Sequence, residues 1–171
     1  MNTATLPDAE ELLAALAGRM RAEAGPDTAL IGIHTGGAWL AERLHGLLGL
    51  VRPLGSIDVS LYRDDFGSRG LSPRVKPSDI PFDVEGADVI LVDDVLYTGR
   101  TIRAALNELF DYGRPRRVRL AALVDRGGRE LPIAAAFLGA EVSVPADRQI
   151  ELKRSAEGRL SLALNAMPVP G

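Results

Sequence analysis

Short apolar runs alternate with amphipathic segments along this chain, and that alternation constrains its fold more than any other feature. Residues 28–33 and 87–93 are nearly continuous apolar runs, which is typical of strands buried on both faces. Residues 7–24, 38–50 and 100–113 instead carry apolar side chains at helical spacing. Strands that alternate with helices predict an open, mostly parallel α/β sheet flanked by helices.

The rest of the chain adds strands and one long irregular segment. Residues 56–62 and 116–125 predict strands, and residues 134–164 suggest shorter strands at the edge of the sheet and a small hood region. Residues 63–83 have no periodicity and contain three prolines and two glycines, so we predict a long flexible lid loop there. With no linker or repeat in sight, residues 1–171 are expected to form a single domain.

Composition excludes several classes of protein. The chain has no cysteine, which rules out disulfides and thiolate chemistry and fits a reducing compartment. Its N-terminus lacks the pattern of a secretory signal, and no apolar run is long enough to span a membrane. We therefore expect a cytoplasmic protein without a membrane partner. A net charge of -3 argues against nucleic-acid binding over the whole surface, and the basic run at residues 114–119 is interpreted as a solvated loop entering a strand.

Polar loops follow the predicted strands at Ile33, Tyr62, Val92 and Val124. Ligands of open α/β sheets bind beyond the carboxyl ends of the strands, so these loops are expected to share one rim and one site.

The stretch VILVDDVLYTGRT, residues 89–101, carries the most informative chemistry of that rim. Gly99 allows the backbone to bend closely around a ligand, and the following helix start offers unpaired N–H groups, which suits a phosphate monoester. Asp93 and Asp94 repel each other unless Mg²⁺, ribose hydroxyls or an arginine neutralises them. A phosphate beside vicinal hydroxyls describes a ribose 5-phosphate. The alternative is an acidic pair that only caps a helix and pairs with arginines.

A second glycine turn, His34-Thr35-Gly36-Gly37, also follows a buried strand and precedes a helix. Such a turn is able to bind an anion through its backbone, and tight loops of this kind sometimes contain a cis non-proline peptide. Taken alone, it is better explained as a simple strand–helix turn.

Residues 89–101 resemble the phosphoribosyl-diphosphate (PRPP) signature of type I phosphoribosyltransferases. Residues 56–65, 79–106 and 113–133, in that order, resemble the bifunctional pyrimidine-operon regulator/uracil phosphoribosyltransferase family, and the likeness covers nearly the whole chain. It implies a phosphoribosyltransferase fold and the conversion of uracil and PRPP to UMP and pyrophosphate with Mg²⁺. It also implies a homo-oligomer, a dimer or larger.

The resemblance assigns roles to particular residues. Asp93 and Asp94 would be the catalytic pair, holding the ribose hydroxyls directly or through Mg²⁺. Arg63 and Lys76 would reach the diphosphate from the lid. Three groups of residues would bind the rest of the substrates: for the 5-phosphate Val95, Leu96, Tyr97, Thr98, Gly99, Arg100 and Thr101; for pyrophosphate Thr35, Gly36 and Gly37; for the base Arg126 and Ile150.

Three departures from the family pattern bear on RNA binding. Gly36 stands where the family carries the arginine of Lys-Thr-Arg-Gly, and Gly128 stands where it carries the histidine of Gly-His-Arg-Glu. Ala17-Gly18 replaces a Thr-Arg pair of the RNA-binding members. The lost cationic groups weaken the RNA hypothesis more than the catalytic one, because phosphate neutralisation dominates RNA affinity.

Uracil phosphoribosyltransferase activity, with a role in regulating pyrimidine genes, is therefore the leading prediction. The alternative is a UMP-dependent RNA-binding attenuation regulator of the pyrimidine operon with weak or no catalysis. A purine or orotate transferase and a non-catalytic α/β domain are the remaining hypotheses.

Overall fold

The computed structural model describes residues 5–59 and 78–167, and the structural statements below concern those ranges. Three helices and seven strands lie in them: α1 Ala9–Arg21, β1 Thr28–Ile33, α2 Gly36–Leu48, β2 Gly55–Ile57, β3 Asp88–Leu96, α3 Arg100–Phe110, β4 Arg117–Asp125, β5 Phe137–Glu141, β6 Arg148–Arg154 and β7 Leu160–Ala166. None of the helices in these ranges is long and apolar enough to cross a membrane.

Five strands form a parallel sheet in the order β2-β1-β3-β4-β5, which confirms the predicted fold class. Strand β3 lies at its centre, and its pairing with β4 runs from Asp88 opposite Arg117 to Leu96 opposite Asp125. Because all five strands are parallel, their carboxyl ends lie at one edge, where the loops that follow β3 and β4 meet.

Both faces of the sheet are covered, which explains the continuous apolar runs. On one face, α1 and α2 pack against alternate residues of the strands, including Leu30, Ile90 and Val92. On the other face, α3 packs against Ile31 and Leu91. Every residue of β1 is buried, as expected for a strand between two helical layers.

Four local predictions need correction. Strands β6 and β7 form a separate antiparallel pair rather than the edge of the main sheet. The strand predicted at residues 56–62 is β2, which ends at Ile57. Residues 60–62 of that prediction lie outside the described ranges. Strand β3 continues to Leu96, so the acidic pair lies within the strand and not after it. Helical spacing predicts Leu106, Leu109 and Phe110 on one side of α3, but Phe110, the last residue of the helix, is 53% exposed.

The basic run at residues 114–119 supplies two structural ion pairs at the amino-terminal edge of the sheet. Arg117 Nε lies 3.0 Å from Asp88 Oδ1, and Arg119 Nη2 lies 3.2 Å from Asp88 Oδ2. Burial alone would raise the pKa of Asp88, but the hydrogen bond from Arg117 and the charges of Arg119, Arg117 and Arg116 outweigh it, so the pKa lies below its ordinary value. Arg117 and Arg119 therefore have a structural role in these ion pairs, while Arg114 and Arg116 are exposed.

Candidate active site

A cavity of about 280 Å³ lies at the carboxyl end of β3. The end of β3, the turn into α3, the residue after β4 and the start of β6 all contribute to its wall. Its lining residues are Asp93, Asp94, Val95, Leu96, Tyr97, Thr98, Gly99, Thr101, Ile102, Arg126, Gln149, Ile150 and Met167.

The acidic pair lies in the carboxyl-terminal half of strand β3. Asp93 is 3% exposed, whereas Asp94 is more open to the cavity. Asp93 Oδ1 accepts the N–H of Asp94 at 2.9 Å, and Asp94 Oδ1 accepts the N–H of Val95 at 2.9 Å. Each carboxylate is thus held against the backbone of the next residue, which fixes the orientation of the side chain.

The turn from β3 into α3 has the geometry expected of a phosphate-binding loop. Gly99 occupies the N-cap position with φ 94°, a left-handed conformation that favours glycine, and it has no side chain to cap the helix. Thr98 Oγ1 accepts the N–H of Arg100 at 3.2 Å. The other N–H groups of the first helical turn have no helical partners, and the positive end of the helix dipole lies behind them.

Gly36 and Gly37 open α2 directly against the end of β3. A Cβ atom at Gly36 would collide with Asp94 Oδ2, and one at Gly37 would collide with the carbonyl oxygen of Val92. The His34–Thr35 peptide bond is cis, and Thr35 at the N-cap makes no side-chain capping bond. The helix start therefore lies beside the acidic pair with its own N-terminal N–H groups uncapped.

Arg126 forms one side wall of the cavity. Its guanidinium lies over the Tyr97 ring, 4.0 Å from the ring centroid, and Nη1 donates to the carbonyl of Arg148 at 2.7 Å. Its Nε is buried and has no hydrogen-bond partner among the described residues. Ile150, 7% exposed, adds an apolar surface to the cavity from β6. The wall thus combines an apolar surface with a buried donor, which suits a flat heterocycle with polar edges.

The donor set suits Mg²⁺ only with help from a ligand. No group of three or more His, Cys, Asp or Glu side chains within residues 5–59 and 78–167 is placed to hold a metal ion. Two adjacent carboxylates supply hard oxygen donors, and Mg²⁺ commonly takes one or two carboxylates and completes its shell with water and substrate oxygens. Asp93 and Asp94 fit such a site.

Most of the residues predicted for the site converge on the cavity. Asp93 to Gly99, Thr101, Arg126 and Ile150 line it. Arg100 does not, because its side chain turns outward and pairs with Glu130 at 2.9 Å. Thr35, Gly36 and Gly37 lie outside the lining, but Gly36 and Gly37 lie against the strand that carries the acidic pair. Arg63 and Lys76, predicted for the lid, lie outside the described residues.

Three lining residues were not predicted from sequence: Ile102, Gln149 and Met167. Ile102 follows the signature by one residue and reaches the cavity from the first turn of α3. Gln149 and Met167 come from β6 and from just after β7, distant parts of the chain that no local pattern links to the signature.

Comparisons with known proteins place the chain in a family. The model of the phosphoribosyl transferase domain matches residues 3–146. The Bifunctional protein PyrR of Pseudomonas paraeruginosa is 51% identical over 152 residues, covering 86% of this chain and 89% of the relative. The protein of the same name from Pseudomonas fluorescens is 47% identical over 162 residues, covering 92% and 96%. The chain belongs to the PyrR family of phosphoribosyltransferases.

Solved structures agree with that membership at the level of the fold. A hypoxanthine-guanine phosphoribosyltransferase from Bacillus anthracis superposes with a TM-score of 0.67 at 19% identity, covering 95% of this chain and 99% of the other. A purine phosphoribosyltransferase from Pyrococcus horikoshii gives 0.60 at 27% identity, covering 78% and 81%. The PyrR-family chain described here therefore has the fold of type I phosphoribosyltransferases.

Proposed function

We propose that this PyrR-family chain is a uracil phosphoribosyltransferase that converts uracil and PRPP to UMP and pyrophosphate. One observation carries the proposal: Asp93 and Asp94 share a single cavity with the uncapped start of α3. Together these groups match a ribose bearing vicinal hydroxyls and a 5-phosphate. Membership of the PyrR family supports a pyrimidine as the base.

The acidic pair would bind the ribose. Its carboxylate oxygens would accept hydrogen bonds from the two ribose hydroxyls, and the backbone bonds to Asp94 and Val95 hold both side chains in place. N1 of uracil loses its proton and bonds to the ribose C1 while the bond from C1 to the pyrophosphate oxygen breaks, and positive charge develops on the sugar. Asp93 and Asp94 would stabilise that charge without forming a covalent bond.

Two helix starts would bind the two phosphate groups. The backbone N–H groups after Gly99, with the hydroxyls of Thr98 and Thr101, would hold the 5-phosphate. The N-terminus of α2 at Gly36 and Gly37 would face the leaving pyrophosphate, since it contacts the end of β3 beside Asp94. The ribose would thus be fixed at both ends while its C1 reacts.

Asp93 and Asp94 would also hold Mg²⁺, directly or through water and the ribose oxygens. When bound, Mg²⁺ neutralises negative charge on the diphosphate and so favours its departure. The predicted lid residues Arg63 and Lys76 would add positive charge on the same side.

The uracil ring would lie between Ile150 and the wall formed by Arg126 and Tyr97. Ile150 offers an apolar surface and backbone groups for the polar edge of the base. Arg126 is already bonded to Arg148 and stacked on Tyr97, so it provides a rigid wall.

The test is UMP formation from uracil and PRPP with Mg²⁺, run beside a panel of hypoxanthine, guanine and orotate. We expect turnover with uracil alone. Turnover with a purine and none with uracil would contradict the proposed base.

Asp94→Asn tests the acidic pair, because asparagine keeps the shape of the side chain but removes its charge. Loss of one electrostatic partner of the reaction typically reduces kcat about a hundredfold. Thermal unfolding should change little, since Asp94 is partly exposed. A variant with the full rate of the parent would refute the role of the pair.

A second function, regulation of pyrimidine genes through UMP-dependent RNA binding, is supported by the name of the curated relatives, which describes them as bifunctional. The arrangement of positive charge in this chain gives less support to RNA binding than that name does. Of the basic run, Arg117 and Arg119 are paired with Asp88, and Ala17 is buried in the core rather than offered to RNA.

Gel-shift titration with a pyrimidine-operon leader hairpin separates the two functions. A regulator should shift the hairpin, more strongly with UMP and less strongly as salt rises. No shift at low salt would rule out the regulatory role while leaving the enzymatic one intact.

A further inference from the structure

We propose that residues 126–131, in the loop after β4, orient the phosphate-binding turn. They donate hydrogen bonds to its carbonyl groups on the side away from the phosphate, and Arg129 is the positioning residue among them. The inference rests on the proposed function only in taking the turn after β3 to bind the 5-phosphate. It gives a role to residues 127–131 of the motif DRGGRELP (residues 125–132), of which the proposed reaction uses only Arg126.

Backbone bonds from this loop occupy two carbonyls of the turn. The N–H of Arg126 donates to the carbonyl of Leu96 at 3.0 Å. Further along, the N–H groups of Glu130 and Leu131 donate to the carbonyl of Thr98 at 2.9 and 3.1 Å. The carbonyl of Tyr97 lies between these two, and it is bonded by a side chain instead.

That side chain is Arg129, whose three kinds of nitrogen each reach a different acceptor. Nη1 donates to the carbonyl of Tyr97 at 2.7 Å, Nε donates to the carbonyl of Ile133 at 2.8 Å, and Nη2 donates to Asp125 Oδ2 at 2.6 Å. Arg129 therefore joins the end of β4, the turn after β3 and its own loop in one network. Its side chain is 26% exposed, so the network is largely shielded from water.

Asp125 anchors the guanidinium. Burial alone would raise the pKa of Asp125, but the hydrogen bonds from Arg129 and from the N–H of Gly127 lower it by more. The pKa therefore lies below its ordinary value. The carboxylate is thus charged at neutral pH and holds Arg129 in position. This is the arrangement expected if the arginine is required at one fixed place.

Three consecutive carbonyls bonded on one side leave the opposite side of the turn to its N–H groups. A carbonyl oxygen that turned toward a bound phosphate would repel it, whereas N–H groups and the α3 dipole attract it. Without Arg129, the Tyr97 carbonyl would lose this side-chain donor and the peptide would gain freedom to rotate. The expected cost is weaker binding of the phosphate, without loss of any group that contacts it.

The test compares binding of two ligands by isothermal titration calorimetry: ribose 5-phosphate, which requires the turn, and pyrophosphate with Mg²⁺, which does not. Arg129→Met keeps the aliphatic stem but removes all three donors. Because a charge-assisted hydrogen bond is lost, we expect its Kd for ribose 5-phosphate to rise about tenfold or more. The Kd for pyrophosphate should stay within about twofold of the parent value. Arg129→Lys, which keeps the charge but cannot span three acceptors, should fall in between.

Arg117→Gln is the matched control, since it breaks another arginine–aspartate pair at the opposite edge of the sheet. It should lower the melting temperature yet leave both Kd values unchanged. Equal weakening of both ligands by Arg129→Met, or unchanged binding of ribose 5-phosphate, would overturn the inference. A parent chain that binds ribose 5-phosphate but makes no UMP would contradict the proposed function alone, and one that does not bind it would overturn this inference directly.

Discussion

The two glycines that open α2 are expected to respond in opposite ways to alanine, although they are neighbours in one helix. A Cβ atom at Gly37 would collide with the carbonyl oxygen of Val92 and would lie 3.0 Å from Asp93 Cα. Those atoms belong to the backbone of the central strand, which cannot move without disturbing both of its neighbours. Gly37→Ala should therefore destabilise the fold.

The magnitude follows from overpacking. Forcing an extra methyl group into a packed interior costs about 1–3 kcal/mol, partly offset by the better helix propensity of alanine, which is worth roughly 0.5–1 kcal/mol. A net loss of about 1–2 kcal/mol in a chain of this size lowers the melting temperature by about 2–8 °C.

Gly36→Ala should instead affect the site. Its Cβ would collide with Oδ2 and Cγ of Asp94, which are able to rotate away, and would lie 3.0 Å from Asp94 Cβ, so only a small further shift is needed and the fold is preserved. The displaced carboxylate no longer faces the ribose as it does in the parent. We expect a melting temperature at or above the parent value and a fall in UMP formation of about tenfold or more.

Gly46→Ala is the control within the same helix, because no atom lies within 4 Å of a Cβ built at that position. It should raise stability by roughly 0.5–1 kcal/mol and leave activity unchanged. Thermal unfolding followed by circular dichroism and a UMP assay on all three variants provide the measurements. If Gly37→Ala melts at the same temperature as Gly46→Ala, the close approach of α2 to β3 is wrong.

Two further predictions concern residues away from the acidic pair. Glu10 accepts hydrogen bonds from Arg43 and the N–H of Leu160, which lower its pKa from 4.5 to about 2. Its contribution to stability is present above pH 4.5 and lost as pH falls through about 2, so Glu10→Gln should melt lower than the parent at pH 7 and converge with it near pH 2 in a melting-temperature series. At Gly128, φ is 77° and a Cβ would collide with the Tyr97 ring, so Gly128→Ala should cost about 1–2 kcal/mol of stability and raise the KM for uracil in steady-state assays. Unchanged stability and KM would mean that the ring is not held there.

The central sheet was predictable because strands buried on both faces have continuous apolar sequences. In β1 and β3, nearly every residue contacts a helix on one side or the other, so the run must be continuously apolar. The turn from β3 into α3 was predictable for a similar local reason, since Gly99 marks a backbone conformation that other residues avoid.

Features that depend on pairing between distant residues were not predictable. The alternation in β6 and β7 indicates two strands, but it does not say whether they join the main sheet or pair with each other. The contribution of Gln149 and Met167 to the cavity depends on where that pair lies over the end of β3. The extension of β3 through Asp93 and Asp94 is likewise decided by pairing with β4, which overrides the low strand propensity of aspartate.

The departures from the family pattern at Gly36 and Gly128 share a structural explanation. At each position, the space that a side chain would need is filled by a residue of the site: by the carboxylate of Asp94 beside Gly36, and by the ring of Tyr97 beside Gly128. The missing arginine and histidine are therefore linked to the placement of the acidic pair and of the wall on which Arg126 stacks. Restoring either basic residue alone would displace a group that the proposed reaction uses before it added any affinity for RNA. For this chain, the geometry that supports transfer and the groups expected to support RNA binding thus compete for the same space.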